Sequence, residues 1–202
     1  MRDSMIRFIY LFNRLKFRIS IDGFLTCLKE IIYFNKEIIL VEKEIKPSDI
    51  KDFSKDLHYT IIDTKNSKSI EKKYHLPLFD YYAQINCKTL IAEYENDLVG
   101  FIRWTEDKNF RDLLKFEMQL KPNEAYMFDF FLFPKYRGSS RINDISNFAM
   151  NHLKSIGKEK FYGFVFSDNV PALWWHRTVL RAHEYKKLKL SKFIILEWSK
   201  KE

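Results

Sequence analysis

FPKYRGSSRIND, residues 133–144, decides how the rest of the chain reads. It follows an apolar run, AYMFDFFLFP (125–134), and precedes ISNFAMNHLKSIG, whose apolar residues recur at helical spacing. A strand that passes through a small-residue turn into a helix leaves unpaired backbone N–H groups and a partial positive charge at the turn. Such a turn can cradle a phosphate. Gly138 lets the backbone approach a ligand, Ser139 and Ser140 add hydroxyls, and Arg137 and Arg141 add forked donors. The same residues also suit an ordinary surface turn, and on their chemistry alone the two readings stand level. Neither Gly-Lys-Ser/Thr nor GxGxxG occurs, which excludes the two best-known phosphate loops.

Downstream, Ile142, Ile145, Phe148, Ala149, Leu153 and Ile156 predict a helix that Gly157 stops. KFYGFVFS (160–167) predicts a strand. Asn169 and Pro171 then open a helix through ALWWHRTVLRAH, and YKKLKL with KFIILEW predicts a hairpin. Upstream, KTLIAEYENDLVGFIRWTED is a hairpin about Glu95-Asn96-Asp97, followed by a polar loop over 107–123. EIILVEKEI (37–45) reads as a strand. SDIKDFSKDLHYTII reads as a helix, and SIEKKYHLPLFDYYAQI as a second helical stretch broken at Pro77. The run 125–134 is expected to be a central strand buried on both faces. Its crossover through the following helix to 160–167 is the one good parallel connection. The fold class is therefore α/β in its α+β form: a mixed central sheet flanked by helices.

The 202 residues carry a formal net charge of +8, which favours an acidic partner such as a phosphorylated cofactor, nucleic acid or an anionic membrane. Cys27 and Cys87 stand far apart and form no metal spacing or disulfide framework, so a reduced, cytoplasmic setting is the simplest expectation. No apolar run is long enough to span a bilayer. Residues 1–35 predict a basic amphipathic helical extension ahead of a domain over 36–202. Residues 1–20 hold five basic residues against one acidic residue, and suit either the inner face of an anionic membrane or packing on the domain itself or a second copy in a homodimer. The histidines show no ligand spacing, so no metal is expected. No nucleic-acid-binding motif accompanies the charge.

Strand, Pro-Lys-Tyr-Arg-Gly, helix, strand and then Asn-x-x-Ala together resemble the coenzyme A-binding core of the GNAT acyltransferase superfamily. The family's turn reads Arg/Gln-x-x-Gly-x-Gly/Ala. Here Arg137 matches and Ser140 and Ile142 stand at the glycine positions. The family's Asn-x-x-Ala-x-x-x-Tyr becomes Asn169, Ala172 and His176. The resemblance implies a GNAT-like fold and acetyl-CoA (coenzyme A) as co-substrate. Backbone groups of Phe131, Leu132 and Phe133 would bond the pantetheine arm. N–H groups of Gly138, Ser139, Ser140, Arg141 and Ile142 would hold the pyrophosphate, helped by the Arg137 and Arg141 side chains, and Asn169 would touch the arm. The implied activity is N-acetyltransferase: direct attack by an amine on an acyl thioester. The basic extension resembles those of GNAT-like proteins in surface-polysaccharide pathways, which points to an amino-sugar acceptor.

Two residues are candidates for the proton transfers. His176 takes the place of the family's tyrosine, and an imidazole titrates near neutral pH; as an isolated residue it equally suits packing beside Trp175. Asp129 is a carboxylate inside an apolar strand, where burial can raise its pKa and make it a base; it equally suits an ion pair with a neighbouring strand. Two other functions remain open. One is a non-catalytic binding module that keeps the fold, and the other is a basic membrane- or nucleic-acid-binding protein.

Overall fold

The computed structural model describes residues 33–74, 79–193 and 196–201, with five isolated helical positions between Phe12 and Phe24. The helical extension as a whole, Cys27 and the break at Pro77 lie outside the described residues.

Among the described residues eight strands form one sheet, in the order β2-β3-β4-β5-β6-β1-β7-β8. They are β1 (Tyr33–Glu44), β2 (His58–Ile62), β3 (Cys87–Tyr94), β4 (Asp97–Thr105), β5 (Glu124–Leu132), β6 (Lys160–Phe166), β7 (His183–Phe193) and β8 (Leu196–Lys201). Every pair of neighbours is antiparallel except β5 and β6. The helices are α1 (Ser67–Tyr74), α2 (Phe79–Gln84), α3 (Arg111–Lys115), α4 (Arg141–Ser155) and α5 (Val170–Trp174).

The hairpin β3–β4 turns where the sequence places it. Glu95 and Asn96 both take positive φ, 50° and 67°, as a two-residue hairpin turn demands. Helix α4 buries Ile145, Ala149, Met150 and Leu153 against the sheet, and Gly157 follows it at φ 79°. Its Ala149 and Leu153 join Leu90, Ile102, Ala125 and Phe161 in the main core.

Several expectations are corrected. HYTII is strand β2, not the end of a helix; its Tyr, Thr and Ile side chains suit a pleated edge, and it pairs with β3 from Tyr59↔Ala92 to Ile62↔Thr89. Only Pro47–Asp49 forms a helical turn in that region. The loop 107–123 contains α3. Strand β1 begins at Tyr33, inside the span expected for the extension, and it is interior, lying between β6 and β7. Its apolar run fits that place. Ile38 and Leu40 pack on one face with Phe116 and Leu188, and Ile39 and Val41 pack on the other with Val165. The C-terminal hairpin turns later than expected, because β7 pairs with β1 as far as Phe193. Strand β5 is buried only over Glu124–Met127 and opens beyond it.

Candidate active site

Strands β5 and β6 are paired only at Glu124–Tyr126 with Lys160–Tyr162. Beyond that point β5 stays with β4, reaching Leu132↔Gly100, while β6 stays with β1. The parallel pair therefore opens into a gap. Gly163 sits at its vertex: a Cβ there would lie 3.1 Å from Met127 O and 4.0 Å from His176 Cε1.

The gap exposes one backbone edge of β5. Phe133 donates its N–H to Val99 O at 3.0 Å, on the β4 side, and its carbonyl accepts from Tyr136. Backbone groups alternate sides along a strand, so Phe131 also faces β4 whereas Phe130 and Leu132 face the gap. Of the three positions expected along a pantetheine arm, Leu132 alone turns its backbone groups to the gap. Phe130, which the sequence did not single out, joins it. A register slip causes the offset: Phe101 pairs with Phe131 but Arg103 with Phe128, and the bulged strand puts Asp129 at φ 51°.

The turn after β5 forms as a Pro134–Tyr136 helical turn, then Gly138 at φ 79°, then Ser140 ahead of α4. The N–H groups of Gly138, Ser140 and Ile142 have no hydrogen-bond partner among the described residues. Ser139 is used locally; its Oγ donates to Tyr136 O at 2.7 Å and accepts from the Arg141 N–H at 3.3 Å. Arg137 is exposed and donates Nε to Leu132 O at 3.1 Å. Arg141 is committed elsewhere. Its Nη2 pairs with Asp56 at 2.9 Å, its Nη1 reaches Ser54 Oγ at 3.5 Å, and its guanidinium lies 4.8 Å from the Tyr94 ring. These contacts tie α4 to the segment before β2, and the help at a phosphate expected of this side chain would compete with them.

Asn169 caps α5, its Oδ1 accepting from the Ala172 N–H at 3.2 Å, which leaves its amide N–H groups for a ligand. His176 lies in the wide turn Trp175–Val179 that continues α5. It is 8% exposed, and its Nδ1 has no partner among the described residues. Burial pushes its pKa down to about 4, against a weaker upward pull from Glu184. The expected titration near neutral pH is therefore corrected: at pH 7 this imidazole is neutral and stores no proton. Trp175 beside it donates Nε1 to Ser146 Oγ at 2.9 Å and packs on Phe130.

Asp129 is not buried as expected; its side chain is 38% exposed. It points to the α2 side, where Tyr82 Oη donates to its Oδ2 at 3.1 Å and Arg103 Nη1 lies 3.3 Å from the same oxygen. Sequence reasoning missed Arg103. A cation within the apolar strand LVGFIRW was the available signal. No group of three metal-ligating side chains occurs among the described residues.

The sequence profile of the Acetyltransferase (GNAT) family matches residues 55–179. The chain belongs to the GNAT acetyltransferase family. No curated protein matches it by sequence. Solved structures of GNAT proteins share its fold. A GCN5-related N-acetyltransferase from Sphaerobacter thermophilus superposes with TM-score 0.55 at 10% identity, over 85% of this chain and 56% of that one. A protein of Novosphingobium aromaticivorans assigned to the GNAT family gives 0.53 at 9%, over 77% and 63%. A glucosamine N-acetyltransferase region of a fungal multi-domain β-N-acetylglucosaminidase gives 0.55 at 12%, over 80% and 21%. The chain thus spans less than two thirds of each of these three structures. The GNAT match covers β2 through His176, so β1, β7 and β8 stand outside it.

Proposed function

We propose that this GNAT protein is an acyl-CoA-dependent N-acetyltransferase that uses acetyl-CoA and a primary amine. The observation that carries the reading is the gap between β5 and β6, ending at the turn into α4, where the N–H groups of Gly138, Ser140 and Ile142 have no partner among the described residues. An anion fits there because the donors and the helix dipole point at the same place. The Phe130 and Leu132 backbone, on the edge of β5 that β6 leaves open, faces an amide-bearing chain, with the Leu132 carbonyl already accepting from Arg137 Nε. Arg137 and Asn169 supply further donors.

Acetyl-CoA brings the acyl thioester. The acceptor nitrogen bonds to the acyl carbon as the carbon–sulfur bond breaks; one proton leaves the amine and one reaches the departing sulfur. Asp129, exposed on the α2 side, takes the amine proton. His176 is neutral at pH 7 and serves as a hydrogen-bonding group near the vertex. The acceptor we favour is an amino sugar of a surface-polysaccharide pathway, in keeping with the basic segment over residues 1–20 and its peripheral place at a membrane. The domain that does this work includes the whole of β1 and so starts by Tyr33, a little ahead of the expected boundary at 36. Among the described residues no helix is long and apolar enough to cross a membrane.

One observation favours a second reading. With the His176 pKa near 4, the site holds little acid at neutral pH, as a non-catalytic binder would. Calorimetry with acetyl-CoA, followed by thiol release in the presence of glucosamine, separates the two. Binding in the micromolar range that Arg137→Ala weakens, with turnover, supports the transferase. Binding without turnover supports the binder, and no binding by the folded protein removes both.

A further inference from the structure

Arg103 is among the largest fully buried side chains in the protein, and its 1% exposure is unusual for a cation. Burying a guanidinium is costly unless its donors are satisfied. Here they are not. Nη1 reaches Asp129 Oδ2, but Nε and Nη2 have no partner among the described residues. The group is held in place by rings: its carbon lies 4.2 Å from the Tyr82 centroid, 4.4 Å from Phe101 and 5.5 Å from Phe79. These contacts fix the guanidinium's position more than they neutralise it.

What it touches is the one acidic side chain that the β5 bulge carries. Asp129 takes φ 51°, a conformation unfavourable for a residue with a Cβ. A buried cation with unused donors and a strained backbone therefore meet at one carboxylate. That carboxylate is also gripped by Tyr82, and on the same oxygen, Oδ2. Two donors on one oxygen set the plane of the group and leave Oδ1 as its open face. Asp129 is 38% exposed, so the carboxylate held on the α2 side is open to solvent.

We propose that Arg103 and Tyr82 are positioning residues that clamp Asp129 Oδ2 so that Oδ1 receives the acceptor's protonated primary amine. This rests on the transferase reading above and adds to it the residues that orient the base. The ammonium group approaches Oδ1 as an ion pair. It then gives that oxygen the proton it must lose before its nitrogen can attack. The Arg103 charge stays behind Oδ2, separated from the acceptor by the carboxylate.

The test uses the full chain with acetyl-CoA and three amines that are protonated at neutral pH: glucosamine, spermidine and lysine. Thiol release gives turnover, and calorimetry gives acetyl-CoA affinity for each variant. Asp129→Asn should lower kcat about 100-fold. Arg103→Lys and Tyr82→Phe should each lower kcat about tenfold while acetyl-CoA affinity stays within about twofold of wild type. Combining Arg103→Lys with Asp129→Asn should cost no more than Asp129→Asn alone, because a positioning residue has nothing left to position. Tyr82→Phe keeps the ring under the guanidinium, so it reports on the clamp if Arg103→Lys does not fold.

The proposal is overturned if the Arg103 and Tyr82 variants turn over like wild type. It is equally overturned if Arg103→Lys costs the same factor with Asn at position 129, or if acetyl-CoA binds and none of the three amines is acetylated. Failure of wild type to bind acetyl-CoA is a different result: it removes the transferase reading itself, and this proposal with it.

Discussion

Arg141, in the first turn of α4, is bound to Asp56 at 2.9 Å, although 85 residues of sequence separate them. The same joint is closed by Ser54, whose N–H donates to Asp144 Oδ1 at 3.0 Å, and by Asn147 and Asn151, which donate to the carbonyls of Asp52 and Lys51. The helix that presents the free N–H groups is thus anchored to the segment leading into β2. Arg141→Ala should lower Tm by a few degrees, an effect of the size expected when one partly exposed ion pair and its packing are lost. Its effect on acetyl-CoA affinity should be smaller than that of Arg137→Ala. Thermal melts and calorimetry on the two single variants check both statements. A larger affinity loss in the Arg141 variant would return that side chain to the phosphate.

His176 should make the protein acid-sensitive over a defined range. Its folded pKa, about 4, lies below the unfolded value near 6.5, so the unfolded chain binds the proton more readily. Stability is therefore unaffected by this group above about pH 6.5, falls as pH drops towards 4, and levels off below. The full cost is about 3 kcal/mol. His152 also has a lowered pKa through burial and adds in the same direction. Urea unfolding at pH 7 and pH 4.5 should show a smaller loss in His176→Phe than in wild type. Equal losses would mean that His176 is solvated in solution.

Gly138 has open space around it, yet its φ is 79°. Gly138→Ala should therefore cost about 1 kcal/mol in backbone strain without any clash. Because relief of that strain turns the neighbouring N–H groups, acetyl-CoA binding should weaken as well. Gly138→Asn, which tolerates this conformation better, should lose less of both. Calorimetry on the pair decides the order, and an Ala variant that binds like wild type would show that the turn does not hold the phosphates.

Cys87 is buried and its thiol is pushed up to about 12 by desolvation. It should resist iodoacetamide at pH 8 in the folded protein and react once the chain is unfolded in urea. Peptide mass mapping after labelling reads the difference at this residue alone.

Local chemistry made some of this legible in the sequence. Glu95-Asn96 announced a turn because few residue pairs take two positive φ angles cheaply, and the α4 pattern announced its own buried face. The strand-to-helix turn was readable for the same reason, with Gly138 at its bend. What escaped was set by pairing between distant strands. HYTII is too short for its period to separate strand from helix. The Arg103–Asp129 contact depends on the slip between β4 and β5, and a single slipped residue is invisible in either strand alone. The burial of His176 arises from a packed surround that includes Trp175 and Gly163, so its shifted pKa could not be read from its place in a motif.

The interior position of β1 governs the order in which the sheet can be completed. Ile38 pairs with Phe166 on one side and Leu188 on the other. A ribosome thus delivers this strand long before either neighbour exists, with Ile38, Leu40 and Val41 uncovered. The four strands β2–β5 lie side by side in chain order and can assemble while synthesis continues. The other half of the sheet, and with it the far wall of the gap, must wait for the last strands to emerge.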